Sequence, residues 1–181
     1  MYYYLALSGI EPRKNWLRLI NAHKKFLDRN TDSHLGLILC GFIVNHLYFE
    51  KLKKHIALNN IKNIQWVISP TEIEKNNLLK DAKFIVYPSL YEGFGFPILE
   101  AFKHTKAVIT SSISSMPEIA KSSAVYVNPF DEDELSVAIE ILIKDKVFCR
   151  RISDRTHEMT TKFSWEEIGN AQSSLIDKIL E

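Results

Sequence analysis

The chain has 181 residues, 46% of them hydrophobic, which suits one domain with a sizeable core. Lysine and arginine number 23 against 22 aspartates and glutamates, and the net charge of +1 gives no basic field for nucleic acid, so any phosphate recognition is local. The longest apolar run, residues 35–44, is too short to span a bilayer, and residues 1–4 lack the charged start of a signal peptide, so a soluble cytoplasmic chain is expected.

Residues 3–8 are aromatic and aliphatic and end at Gly9, which predicts a first strand. The turn G-I-E-P-R-K-N follows. Beyond it Trp16, Leu17, Leu19, Ile20, Phe26 and Leu27 recur at helical spacing, so a helix opens near Asn15 and runs to about Arg29. Arg13 and Lys14 sit where a strand's carboxyl end meets a helix N-terminus, a place that disfavours cations unless they face an anion. Residues 35–40 form a buried-strand run closed by Gly41, and residues 48–58 an amphipathic helix. Residues 64–68 make a third strand, with Ser69-Pro70-Thr71 as turn and cap before a helix over 72–80.

The stretch 84–102, F-I-V-Y-P-S-L-Y-E-G-F-G-F-P-I-L-E-A-F, organises the rest. Residues 84–87 read as a strand buried on both faces of a parallel sheet. Gly93 and Gly95, on either side of Phe94, allow backbone angles closed to other residues, and Pro97 suits the first position of a helix. A strand, a glycine loop and a helix N-terminus in that order build an anion-facing pocket. Glu92 precedes the glycines, and Glu100 is expected in the first helical turn. Neither carboxylate suits a phosphate, but each can accept hydrogen bonds from a vicinal diol, so the chemistry suggested is a phosphorylated sugar.

Residues 107–110 are another strand, and residues 111–117 a polar loop with Pro117 starting a short helix. A last strand is expected over 124–127 and a helix over 132–144. The D-E-D at 131–133 is best read as acidic residues opening that helix rather than as a metal motif. Helices over 148–161 and 165–180 close the chain, the second entered through Ser164 and Glu167 spaced as a capping box. The six histidines show no paired metal spacing, and Cys40 and Cys149 read as free thiols, so no metal is expected.

Strand alternating with helix throughout predicts a doubly wound parallel α/β sheet of about six strands, Rossmann-like and three-layered. The run E-G-F-G-F-P-I-L-E resembles the signature of the nucleotide-sugar-dependent retaining glycosyltransferases of family four. The resemblance implies that Glu100 holds the nucleotide ribose hydroxyls, and that Glu92 lies at the donor sugar and its phosphates. It also implies that Arg13 and Lys14 grip the donor pyrophosphate, that Gly93, Phe94, Gly95 and Phe96 line the donor site, and that no cofactor is required. Members of that family are built of two domains on the GT-B plan, and residues 1–181 match only the C-terminal, donor-binding one. The implied function is transfer of a hexosyl unit from a nucleoside-diphosphate sugar to a saccharide or lipid-linked acceptor in polysaccharide or glycolipid assembly. The acceptor, and any peripheral contact with the inner face of a membrane, would then belong to the missing half, and the isolated chain would bind donor without turnover. A sugar-nucleotide epimerase or phosphorylase of the same two-domain plan, or a non-enzymatic nucleotide-sugar-binding scaffold, are the alternative readings.

Overall fold

The computed structural model describes residues 2–156 and 173. Six parallel strands make one sheet: β1 (Tyr3–Leu7), β2 (Gly36–Gly41), β3 (Ile64–Ile68), β4 (Ile85–Tyr87), β5 (Val108–Ser111) and β6 (Ala124–Val127). Their order is β3-β2-β1-β4-β5-β6, so the chain winds outward from β1 to one edge, then returns to β4 and winds to the other. The seven helices among the described residues are α1 (Trp16–Arg29), α2 (His46–Leu58), α3 (Glu72–Asp81), α4 (Phe96–Lys103), α5 (Met116–Ala120), α6 (Glu132–Lys144) and α7 (Lys146–Asp154).

Strand alternation divides the core between the two faces. Tyr4, Ala6, Leu37, Leu39, Val86 and Ile109 point to the face covered by α1, α2, α6 and α7. Tyr3, Leu5, Leu7, Ile38, Cys40 and Ile85 point to the face covered by α3, α4 and α5. Because the four inner strands are covered on both sides, β1, β2, β4 and β5 are buried along their whole length, and in β5 the buried Thr110 and Ser111 hydroxyls donate to the carbonyls of Tyr87 and Ser89. The buried Tyr4 hydroxyl is hydrogen-bonded at 2.9 Å to Nδ1 of the buried His23, whose Nε2 lies 3.2 Å from the Lys62 carbonyl. Burial lowers this imidazole from 6.5 to about 4.

Several element ends differ from expectation, for identifiable reasons. β4 begins at Ile85 rather than Phe84, and α2 begins at His46 because the Asn45 side chain caps it by accepting from the Tyr48 amide. α7 begins at Lys146 because the Asp145 carboxylate caps it through the Phe148 amide, and it ends at Asp154. The cap expected in Ser69-Pro70-Thr71 is Thr71, and Glu74 completes a capping box by accepting from the Thr71 amide. Of the expected helix over 165–180 only residue 173 is among the described residues, and its cap at Ser164 and Glu167 lies outside them.

Candidate functional site

The sheet reverses its winding between β1 and β4, and in open α/β sheets the crevice at that point, beyond the carboxyl ends of the strands, is where ligands bind. The two loops singled out in the sequence leave the sheet side by side there. The loop after β1 forms a 3-10 turn over Pro12–Lys14, and the loop after β4 carries Glu92 to Gly95 into α4. They are joined through their backbones, the Leu90 amide donating to the Arg13 carbonyl at 2.8 Å. Asn15 adds a second tie. It adopts a left-handed conformation at φ 63°, and its buried side chain caps nothing; its amide donates instead to the carbonyls of Pro88 at 3.0 Å and Pro129 at 2.7 Å. One side chain thus joins the loops that follow β1, β4 and β6.

These ties bring Arg13, Lys14 and Glu92 together. Lys14 Nζ lies 2.5 Å from Glu92 Oε1, and Arg13 Nη1 lies 2.7 Å from Glu92 Oε2. The anion that the two cations face is therefore supplied by the chain itself. Arg13 also reaches Glu11 at 2.8 Å, so two carboxylates balance two cations and the cluster is neutral overall. Glu92 and Lys14 are 8% and 7% exposed, so both charges are largely withdrawn from water. Burial alone raises the Glu92 carboxyl, but hydrogen bonding, from Lys14 first and then from Tyr87, Ser89 and Arg13, outweighs it and holds the group below its ordinary range. The Arg13 guanidinium is pushed upward by the same bond.

Sequence reasoning missed the residues that hold this cluster in place. Lys14 Nζ also donates to the Tyr87 hydroxyl at 3.1 Å, and burial together with the nearby Glu92 pushes that phenol far up. Ser114 accepts from the Glu92 amide at 3.1 Å and donates to its carbonyl at 2.8 Å, while Ser115 donates to the carbonyls of Glu92 and Phe94 at 3.0 and 2.8 Å. The polar loop before α5 is therefore a brace for the glycine loop. Its one legible sign is a concentration of serines between a strand and a helix, which is also what an ordinary turn looks like.

The glycine loop differs from expectation in three respects. Gly95 has φ 111°, a conformation that side chains rarely adopt, and it stands at the cap position of α4. Gly93 has no positive φ, and a Cβ there would meet nothing within 4 Å, so the fold itself does not require a glycine at that position. Pro97 is the second helical residue rather than the first, since Phe96 opens α4, and Glu100 consequently falls beyond the first turn. No side chain caps this helix, and the Phe94 and Phe96 rings pack at 4.9 Å beside its start, with Phe96 exposed.

Glu100 joins none of the Arg13, Lys14 and Glu92 contacts. It is half-buried on the flank of α4 and pairs with Lys75 of α3 at 2.9 Å. The acidic run at 131–133 has the helix-opening role expected of it: Asp131 accepts from the amides of Asp133 and Glu134, while Glu132 and Asp133 lie against Lys25. Among the described residues no cluster of three or more potential metal ligands occurs, and no helix is long and apolar enough to cross a membrane.

A six-stranded parallel sheet in this order, with a basic turn and a glycine loop adjoining at its winding reversal, is a Rossmann-like α/β domain. Residues 2–159 match the family described as glycosyl transferases group 1, and the chain belongs to that family. It is 31% identical over 166 residues to O-antigen chain mannosyltransferase B of Escherichia coli, covering 91% of this chain and 42% of that protein. Identity to the serotype-specific mannosyltransferase WbdA of Escherichia coli is 29% over 163 residues, 89% of this chain and 20% of that protein. The chain thus spans less than half the length of these relatives. Its fold superposes with a TM-score of 0.86 on Anabaena Alr3699/HepE in complex with UDP and glucose, at 18% identity, covering 98% of this chain and 48% of that one.

Proposed function

We propose that residues 1–181 form the donor-binding unit of a retaining hexosyltransferase. In this reading a hexosyl unit passes from a nucleoside-diphosphate sugar to a saccharide or lipid-linked acceptor in surface polysaccharide or glycolipid assembly. The observation that carries the proposal is the Lys14–Glu92–Arg13 cluster at the β1/β4 reversal, with Lys14 and Glu92 buried and Arg13 at the surface, in the loops that lead into α1 and α4. Two cations beside a helix N-terminus suit the charge that collects on a departing diphosphate. A carboxylate between them suits the hydroxyls of the sugar that the diphosphate leaves. In transfer, the bond from the anomeric carbon to the diphosphate oxygen breaks and the electron pair departs with the diphosphate. A bond from the same carbon to an acceptor hydroxyl forms, and the hydroxyl proton ends on the released diphosphate or in solvent. Arg13, Lys14 and the helix dipole stabilise the leaving group, Glu92 positions the sugar, and Glu100 anchors the ribose; the reading needs no metal or cofactor. The mannosyltransferase names of the relatives support a hexosyl donor.

Such transfer holds donor and acceptor in one water-poor cleft, and orientation alone can account for roughly 7–11 kcal/mol of barrier. The donor wall is in this chain, and in this proposal the acceptor wall comes from another folded unit. The test is a thermal-shift screen over UDP-, GDP-, dTDP- and ADP-sugars, because a ligand that binds the native state raises apparent stability by mass action. A transfer assay with the donor so found and candidate acceptors follows. Binding without turnover by the isolated chain is the expected result. Robust transfer by this chain alone would overturn the half-site reading, no binding to any sugar nucleotide would overturn the donor-binding reading itself, and a changed sugar without an acceptor would reveal an epimerase.

A further inference from the structure

Lys75 lies in the first part of α3, in a run whose pattern marks no chemistry, E-I-E-K-N-N. α3 and α4 cover the same face of the sheet, and Lys75 reaches Glu100 on α4. Its ammonium lies 2.9 Å from Glu100 Oε1 and 2.9 Å from Glu72 Oε2. The two contacts differ in kind. The Glu72 side chain is 80% exposed, so its pairing with lysine is a solvated surface contact of little weight. The Lys75 and Glu100 side chains are 18% and 32% exposed, so theirs is partly withdrawn from water and correspondingly directional.

The hydrogen bond from Lys75 and the ion-pair contact go to Oε1 of Glu100, and no other described residue hydrogen-bonds to or pairs with this carboxylate. Beyond the first turn of α4, Glu100 is too far along the helix to be held by the free amides at its start. Without Lys75 the carboxylate would sample several rotamers and lose that freedom on every binding event. We infer that Lys75 is a positioning residue: it fixes one oxygen of Glu100 and presents the other to a hydroxyl of the donor nucleotide's ribose. This inference rests on the ribose reading of Glu100 proposed above.

Calorimetry separates the two. UDP and GDP are titrated beside their 2′,3′-dideoxy counterparts into the unmodified protein, Lys75→Met, Lys75→Arg, Glu100→Gln and the Lys75→Met/Glu100→Gln double variant. Lys75→Met is expected to weaken the ribonucleotide by about three- to tenfold, the loss of one modest hydrogen bond, and to leave the dideoxy ligand unchanged. It should add nothing to Glu100→Gln, and Lys75→Arg should retain most of the affinity. The dideoxy ligand serves as the folding control, and Lys75→Gln provides the same comparison if the methionine variant does not fold. No effect of Glu100→Gln would remove both the ribose reading and the role of Lys75. A Glu100→Gln loss alongside either no Lys75→Met loss, or an equal Lys75→Met loss on both ligands, would leave the ribose reading intact and overturn the role of Lys75.

Discussion

Replacing Glu92 by Gln should tighten the binding of a bare nucleoside diphosphate. The carboxylate occupies the two cations proposed for the diphosphate, so a diphosphate reaching Lys14 must first displace Oε1 from its 2.5 Å contact. A hydrogen bond to a charged group contributes roughly 1.5–3 kcal/mol. The Lys14 side chain is 9% exposed and retains the larger share of that figure, whereas Arg13, at 44%, is more strongly screened and adds little. Removing the competitor therefore returns about one such bond, which corresponds to roughly ten- to hundredfold higher affinity. The same substitution leaves Lys14 poorly compensated and should destabilise the free protein by about 1–3 kcal/mol, so ligand-induced thermal shifts should grow while the unliganded melting point falls. Calorimetric titration of UDP and GDP into the variant at two salt concentrations checks this, with a steeper salt dependence expected once the cations are uncovered. Unchanged or weaker binding would refute the reasoning and leave Glu92 as a clamp that holds the cations in place.

Replacing both Arg13 and Lys14 by Ala should weaken diphosphate binding far more than binding of the nucleoside, because only the diphosphate loses charge-assisted bonds; equal losses in parallel titrations would point to folding instead. Stability should decline as pH falls from 6.5 to about 4, since the folded state holds His23 neutral there while the unfolded chain takes up the proton; chemical denaturation across that window should show a shallower slope in His23→Gln. Glu92, held below its ordinary range, contributes stability that is present above its unfolded value and is lost as pH falls through its folded one, so Glu92→Gln should flatten the acid limb below the His23 window. Gly95→Ala should destabilise by about 1–2 kcal/mol through its left-handed backbone, whereas Gly93→Ala should be neutral or slightly stabilising in thermal unfolding.

Where one face or one cap decides an element, the sequence is sufficient. β3 and α6 lie where the apolar runs and the acidic opening put them, and Thr71 caps α3 as expected of a turn ending in threonine. The glycine loop was less legible, because P-I-L-E after a glycine fits a helix that opens at either Phe96 or Pro97, and one residue decides whether Glu100 belongs to the first turn. The partners of the site residues were not legible at all. Lys14 and Glu92 are 78 positions apart, and Lys75 and Glu100 are 25 apart, so no periodicity connects them. Asn15, Ser114 and Ser115 work through backbone groups, which leave no complementary residue to recognise.

The winding reversal has a consequence for how the chain folds. β1 is central, and its direct backbone pairing with β4 at Leu5 and Ile85 closes a loop that contains the whole of β2 and β3. Closing so long a loop costs entropy before any contact rewards it, which delays such pairings relative to local ones. The cation turn, the glutamate loop and the serine brace span residues 11–115, so no shorter contiguous fragment contains them all. On the donor-binding reading proposed above, nucleotide capture would therefore be a late and global signal during refolding. Fluorescent-nucleotide capture should lag behind the recovery of helical circular dichroism and coincide with the docking of β4 against β1.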